Sequence, residues 1–502
     1  VRLGLVLLVA SASTALSQAS PYLPLDHPAM PLVEWLIARG ELRDPSPQIR
    51  PLRVADILAA LDRQEASPKG GSITTALRSV LERPRSDAWF RVAPAAGAQA
   101  FTAARRDPIH PGGDGGVRGY GEVGLEGVFG NLVVASRPMA ENRLKLDPDW
   151  AGGGIQRTKS QAYRFAEGYL SAQFKHVRLW FGQMDRNWGP TGSLGLSIAN
   201  YGYPRTDLAL EIPLRDIQVQ LLGASLPAMR SSDGTDHRRY FLAHRLSARL
   251  SSRLDVALWE TMIVSGSGGS SPTAGTFNPL VLFSFPIQLG LPDQRNTIIG
   301  GDLTWRVGSG LRLQGQAMVD DRWRTKPDSV TGEDRHPGRW AVTLAGSGPL
   351  GQRLAWRAAA SVVNALAYRT TDSAQSFLDR GIGIGPHFTD LVRFDARVEL
   401  PVRDQWLVAP ELAVAFQGQG RIDRPFPVGP ELRNTPELLI GTVERTWRLG
   451  LSVAGAERGL GVQAAAGWQQ TTNASHLAGR QRSGIEARIQ ATIGTSFGGV
   501  LR

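Results

Sequence analysis

The chain has 502 residues, with 56 Lys and Arg against 45 Asp and Glu, a formal charge of +11 and no cysteine. The missing thiols exclude a disulfide framework, a cysteine nucleophile and a thiolate-held metal. The 57 glycines are dispersed among apolar runs, which marks a turn-rich β protein rather than a disordered chain.

The first segment, VRLGLVLLVASASTALSQAS, has one Arg, an apolar run from Leu3 to Ala10 and small residues up to Ala19. It reads as a signal peptide over residues 1–19. The apolar run falls far short of the roughly 20 residues a spanning helix needs, and no later segment reaches that length. Without Arg2 the balance is 55 basic against 45 acidic residues, or +10. A basic exported chain points to acidic lipid or acidic polysaccharide as neighbours and away from nucleic acid. Export without cysteine fits a Gram-negative envelope.

Residues 20–86 read as a small periplasmic module of three helices. Leu32, Trp35 and Leu36 share one helical face and Gly40 ends the run; Val54, Ile57, Leu58 and Leu61 repeat the spacing, as do Ile73, Leu77, Val80 and Leu81. The Pro-rich link from Asp44 to Pro51 is expected to hold the first two helices apart.

Residues 87–502 change to a period of two. In LRLQGQAMVDD, Leu311, Leu313, Ala317 and Val319 oppose Arg312, Gln314, Gln316 and Asp320. VRFDARVEL sets Val392, Phe394, Ala396, Val398 and Leu400 against Arg393, Asp395, Arg397 and Glu399, and the final GIEARIQATIGTSF behaves alike. Alternation alone also suits a soluble sandwich. The connections favour a mainly β, antiparallel transmembrane β-barrel, because short turns at 130–131, 175–176, 251–253, 308–310, 348–352 and 401–405 tend to alternate with long loops at 142–160, 265–296, 322–337, 364–389 and 419–435. Parity then requires one crossing between Met184 and Asp216. Ser193 to Asn200 is taken as that crossing, giving about 18 strands, with Phe497 as the effective end of the last.

The stretch FGQMDRNWGPTGSLGLSIAN, Phe181 to Asn200, concentrates chemistry: Asp185, Arg186, Trp188, Ser193 and Asn200. A nucleophile would need a base in reach, and the nearest His, His176, belongs to the far end of the preceding strand. Its glycines miss the phosphate-loop spacing. No catalytic residue is therefore assigned. The expected arrangement is an Asp185–Arg186 ion pair at the strand end with Trp188 packed into the mouth. The same residues, with Asn200, could instead offer a ring, a cation and an amide to a sugar. The eight His have no metal spacing, so neither metal nor cofactor is expected. The inward positions Arg245, Arg249, Arg306, Arg357, Arg393, Arg397 and Arg488 face acids such as Asp302, Asp395, Glu399 and Glu486. Any surplus of charge would favour a polyanion.

YLPLDHPAMPLVEWLIARGEL, FGQMDRNWGPTGSLGLSIAN, FNPL at Phe277, GLRLQGQAMVDD and GIGIGPHFTD at Gly381 together resemble the Wzi capsule-assembly family. The resemblance implies an 18-stranded outer-membrane barrel with a periplasmic helical bundle, a non-enzymatic surface lectin that anchors capsular polysaccharide. Its implied partners are an acidic surface polysaccharide, outer-membrane lipid and the barrel-assembly machinery, and a monomer is expected. Asn187 stands where the family more often has a second Trp, and Tyr201-Gly202-Tyr203-Pro204 replaces its usual Asn-Ala-Arg-Pro. The alternatives are an anion-selective porin and, less favoured, a barrel lipase or protease.

Overall fold

The computed structural model describes residues 19–501 apart from 66–71, 85, 104–107, 110–114, 145–146, 148–149, 151–161, 202, 232–233, 267–294, 309, 321–337, 426 and 428–434. The expected leader except Ala19, the FNPL motif and most of the loops 142–160, 265–296 and 322–337 lie outside the described residues.

Eighteen antiparallel strands close into one barrel. They are β1 Ala88–Phe101, β2 Gly116–Phe129, β3 Leu132–Glu141, β4 Ala162–Gln173, β5 Arg178–Gln183, β6 Thr206–Pro213, β7 Ile217–Arg230, β8 Asp236–Arg249, β9 Leu254–Gly266, β10 Arg295–Val307, β11 Leu311–Asp320, β12 Trp340–Leu350, β13 Leu354–Val363, β14 Leu391–Arg403, β15 Trp406–Gln417, β16 Glu444–Glu457, β17 Leu460–Thr472 and β18 Gln481–Gly494. Closure is made by β1 against β18, with Ala95 opposite Gly494. Every strand is thereby paired on both edges, as lipid demands of a backbone that cannot bond to water. Period-two patterning sends Leu258, Leu303, Leu344, Leu449, Ile485 and Ile493 outward, where they stay exposed for lipid, and turns Thr343, Asp302, Gln314 and Gln316 inward, where they are buried.

The crossing expected at Ser193–Asn200 is made instead by β6. Both stretches alternate, but Leu196 and Ile198 are buried inside the barrel. In β6, Leu208 points out and Asp207 points in. The strand count survives because one crossing replaces the other. The expected end at Phe497 also moves: Phe497–Val500 continue the wall against Trp89–Val92.

Three helices precede the barrel: α1 Met30–Ala38, α2 Val54–Glu65 and α3 Ser72–Leu81. A proline in its first turn starts α1, and Gly40 at φ 71° ends it, with the Glu41 and Leu42 amides returning to the Leu36 carbonyl at 3.0 Å each. Nearly the whole of α1 is buried. A helix apolar but for Glu34 needs cover on nearly every side, and here the barrel rim contributes it through Ala355 and Leu407. Arg39 fixes the contact by donating to the Gln352 and Leu354 carbonyls at 2.7 Å each.

The Asp44–Pro51 link does more than separate helices. It enters the lumen, where Gln48 donates to the Leu303 carbonyl at 2.7 Å and the Thr304 hydroxyl at 3.1 Å. The two-residue strand Ile49–Arg50 then pairs with Asn187–Trp188 of the loop descending from the opposite mouth. Asp44 joins Arg50 at 3.1 Å and Arg312 of β11 at 2.5 Å, and Arg50 also holds Glu34. Burial alone would push the Asp44 carboxyl up, but Arg50 and Arg312 outweigh it and hold the group down at about 2.

Candidate functional site: the outer mouth and its infolded loop

The wall dips where β5 stops after six residues. Gly182 sits at φ 143°, and a Cβ there would lie 2.2 Å from the Gly168 carbonyl oxygen, so only glycine fits this bend. Beyond it the chain turns into the lumen. Successive residues of an extended chain project to opposite sides, which separates Asp185 from Arg186 and overturns the ion pair expected between them. Arg186 instead makes a two-pronged pair with Asp207 of β6, each bond 3.0 Å, and its guanidinium lies 4.8 Å from the Trp180 ring centre. Asp185 accepts the Tyr201 amide at 2.9 Å.

Trp188 is 3% exposed. Its amide donates to the Ile198 carbonyl at 2.8 Å, and its own carbonyl accepts from Gln316 at 3.0 Å. The Gln316 side chain also accepts the Leu196 amide at 2.7 Å and donates to Asp302 at 2.8 Å, so one wall residue pins both limbs of the loop. Asn187 closes the turn between them, donating to the Ser193 carbonyl at 2.9 Å and accepting the Gly195 amide at 2.8 Å. A second infolded loop, residues 364–390, covers the first: the Tyr368 hydroxyl donates to the Leu196 carbonyl at 2.8 Å, and the Ala199 amide reaches the Ile384 carbonyl at 2.8 Å. Arg186 and Trp188 are therefore both buried and help hold the stopper in place. Asn200 stands half-buried at its outer edge, with its carbonyl 3.0 Å from His387 Nε2.

Around Asn200 the mouth collects a row of rings that local sequence reasoning missed. Trp150 meets Tyr203 at 5.0 Å, Tyr203 meets Tyr201 at 5.4 Å, and Tyr201 meets His387 at 6.0 Å, all edge to face. Arg164 stands 5.3 Å over the Tyr203 ring, Arg143 pairs with Asp147 at 3.1 Å, and the Tyr203 hydroxyl donates to Asp147. Tyr201, Trp150, His387, Arg143 and Arg164 are all half-buried. Such rings offer flat apolar faces for sugar rings, and the flanking ions offer charge-assisted bonds. The available signal was the Tyr-Gly-Tyr-Pro departure itself, which brings two rings to the loop's exit.

The seven inward arginines divide five to two. Arg245 binds Asp302 at 2.6 Å, Arg249 and Arg306 share Asp255 at 3.0 and 2.7 Å, Arg357 binds Glu399 at 2.8 Å, and Arg393 binds Asp395 at 2.6 Å. Arg397 and Arg488 make no hydrogen bond or ion pair with any described residue. Among the described residues no three His, Asp or Glu side chains cluster as metal ligands.

Residues 110–324 match the family model described as capsule assembly protein Wzi. The solved Escherichia coli structure described as Wzi, a carbohydrate-binding outer-membrane β-barrel involved in group 1 capsule assembly, aligns over 95% of this chain and 99% of its own at a TM-score of 0.61 and 15% identity. The Wzi resemblance holds. Two Pseudomonas aeruginosa barrels superpose more loosely: OprD covers 82% of this chain and 95% of its own at 0.43 and 10% identity, and OpdK covers 82% and 99% at 0.46 and 10%. No curated protein matches the sequence. The match to the Wzi family model takes in β2 to β11, including the whole first infolded loop and the wall residue Gln316 that pins it.

Proposed function

We propose that this protein is an outer-membrane barrel that binds and anchors surface polysaccharide at its outer mouth, without catalysing a reaction. The observation that carries the reading is the joint of Ile49–Arg50 with Asn187–Trp188: a strand from the helical end meets a loop from the mouth inside the lumen. A barrel stoppered in this way offers its mouth as a surface, and the half-buried rings of Trp150, Tyr201 and His387, packed on buried Tyr203, with Arg143 and Arg164 are the groups it displays. The helical module faces the periplasm in this reading, below a leader over residues 1–19, and the short turns lie on the same side. The basic balance of +11 favours an acidic polymer. The E. coli relative, a carbohydrate-binding barrel, supports the same assignment.

The porin reading predicts a different behaviour and is tested against this one directly. Purified barrel in planar bilayers is expected to give no steady conductance, while a glycan array is expected to retain acidic polysaccharide at low salt and lose part of it at high salt. A large steady conductance with an empty array would overturn the proposal in favour of a channel.

A further inference from the structure

We infer that the cavity between the helical module and the barrel wall binds a small amine, holding its primary ammonium group on Glu122 and Glu167. The cavity measures about 590 Å³ and opens beside α3, within the range of roughly 300–1,000 Å³ usual for small-molecule sites. Three neighbouring strands make its charged wall. Glu122 of β2, Arg137 of β3 and Glu167 of β4 all line it, with Arg137 directly opposite Glu167 and two residues from Met139, the partner of Glu122. The loop before α1 adds Asp26, whose carbonyl accepts from Gln463 at 2.7 Å. Arg137 Nη2 donates to both Asp26 carboxylate oxygens at 2.8 Å each, while the guanidinium stands 3.5 Å from Glu122 and 3.8 Å from Glu167.

One guanidinium does not satisfy three carboxylates. Arg137 is committed to Asp26, and among the described residues Glu122 Oε2 and Glu167 Oε2 receive no hydrogen bond, just as Arg137 Nε finds no acceptor. Glu167 is 9% exposed, so its unbonded oxygen is withdrawn from bulk water in the wall of the cavity. A carboxylate placed there is stable only with hydrogen bonds or a counter-charge. The neighbouring cations are already engaged. Arg83 and Arg91 lie 2.9 and 3.9 Å from Glu126, and Arg164 of β4 binds Glu141 at 2.5 Å. His27 also lines the cavity, but burial and the charge of Arg83 hold its imidazole down at about 4, so it carries no charge at neutral pH. The lining sets Asp26, Glu122, Glu126 and Glu167 against Arg83, Arg91 and Arg137, while Glu457 and Arg458 pair at the far edge at 4.0 Å. One negative charge is left over. Among the described residues no three His, Asp or Glu side chains come close enough to hold a metal, so the matching cation brings its own donors: an ammonium, with three N–H groups for two carboxylates. Aliphatic amines and amino sugars share that group.

This cavity lies at the helical end of the barrel, and its occupancy does not depend on polymer binding at the mouth. The test is titration calorimetry of the purified full-length barrel in non-ionic detergent at neutral pH, with putrescine, glucosamine, N-acetylglucosamine and magnesium chloride, on wild type, Glu122→Gln, Glu167→Gln and the double variant. Heat-modifiability on gels verifies folding for each. The expected result is saturable binding of putrescine or of glucosamine, the tighter of the two naming the source of the amine, and none of N-acetylglucosamine, whose nitrogen is uncharged. Each single variant is expected to weaken that binding at least tenfold and the double variant to abolish it. Failure of both amines to bind wild type, a result that needs no variant to fold, would overturn the inference. So would binding of magnesium alone, or undiminished amine binding by the folded double variant. Polymer retention at the mouth, measured on the same double variant, is expected to be unchanged, which keeps the two readings distinguishable.

Discussion

Replacing Arg186 by Gln gives a measure of how the stopper is held. If Arg186 only paired with its neighbour near solvent, its loss would cost about 0–1 kcal/mol. The structure instead buries it against Asp207, with both bonds at 3.0 Å and the Trp180 ring 4.8 Å away. Removing one partner of a buried pair leaves an uncompensated charge and costs about 3–5 kcal/mol. The lost contact with Trp180 adds up to about 2 kcal/mol where it is desolvated. A loss near 4 kcal/mol is roughly a thousandfold in the folded ratio, at about 1.4 kcal/mol per factor of ten. Urea unfolding in detergent, followed by tryptophan fluorescence, reads this directly. The companion variant Arg186→Gln with Asp207→Asn removes both charges and is expected to recover most of the loss, since a neutral amide pair leaves no stranded carboxylate. A single variant within about 1 kcal/mol of wild type, or a double variant as weak as the single, would refute the reasoning.

Three further outcomes follow from the same contacts. Trp188→Ala is expected to lower stability by about 3–5 kcal/mol, because the ring is buried in the lumen core; unchanged heat-modifiability and urea midpoint would contradict that. Gln316→Leu strands the Leu196 amide, at about 1–3 kcal/mol for a buried group left unbonded, and leaves the Trp188 carbonyl only the Ser197 hydroxyl at 3.5 Å. Its expected signature is faster hydrogen exchange across residues 187–198, and wild-type exchange would remove Gln316 as the pin. Asp44 is lowered from 3.8 to about 2 by Arg50 and Arg312 against its burial. Its contribution of about 2 kcal/mol is present above the unfolded value and is lost as pH falls from there through about 2. Amide exchange in residues 46–50 should rise over that window, and the rise should disappear in Asp44→Asn.

The wall of the barrel was legible because alternation is local: Val392 to Leu400 carries its own inside and outside, and the short turns mark one end. The contents of the lumen were not, because they are set by partners far apart in sequence. Ile49 finds Trp188, Gln48 finds Leu303, and Arg186 finds Asp207, and no pattern near any of these residues announces the other. Ser193–Asn200 misled for a physical reason. Leu194, Leu196 and Ile198 alternate as a strand does, yet in a stoppered barrel an apolar face can be buried inside as well as turned to lipid. In Thr206–Pro213 the equally good alternation was overlooked beside it. Arg397 and Arg488 were readable as inward cations, but that neither ion-pairs with a described residue was not, since pairing depends on which acids their neighbours have already taken. The aromatic row at the mouth required Trp150, Tyr201, Tyr203 and His387 to be brought together from three loops.

The central claim, that the stoppered barrel holds surface polysaccharide at its outer mouth, is tested most directly by binding the organism's own purified surface polymer to immobilised, folded barrel, comparing wild type with Tyr201→Ala. The account predicts saturable binding by wild type, weakened in the variant while folding is retained. Absence of saturable binding by the folded wild-type barrel would contradict it.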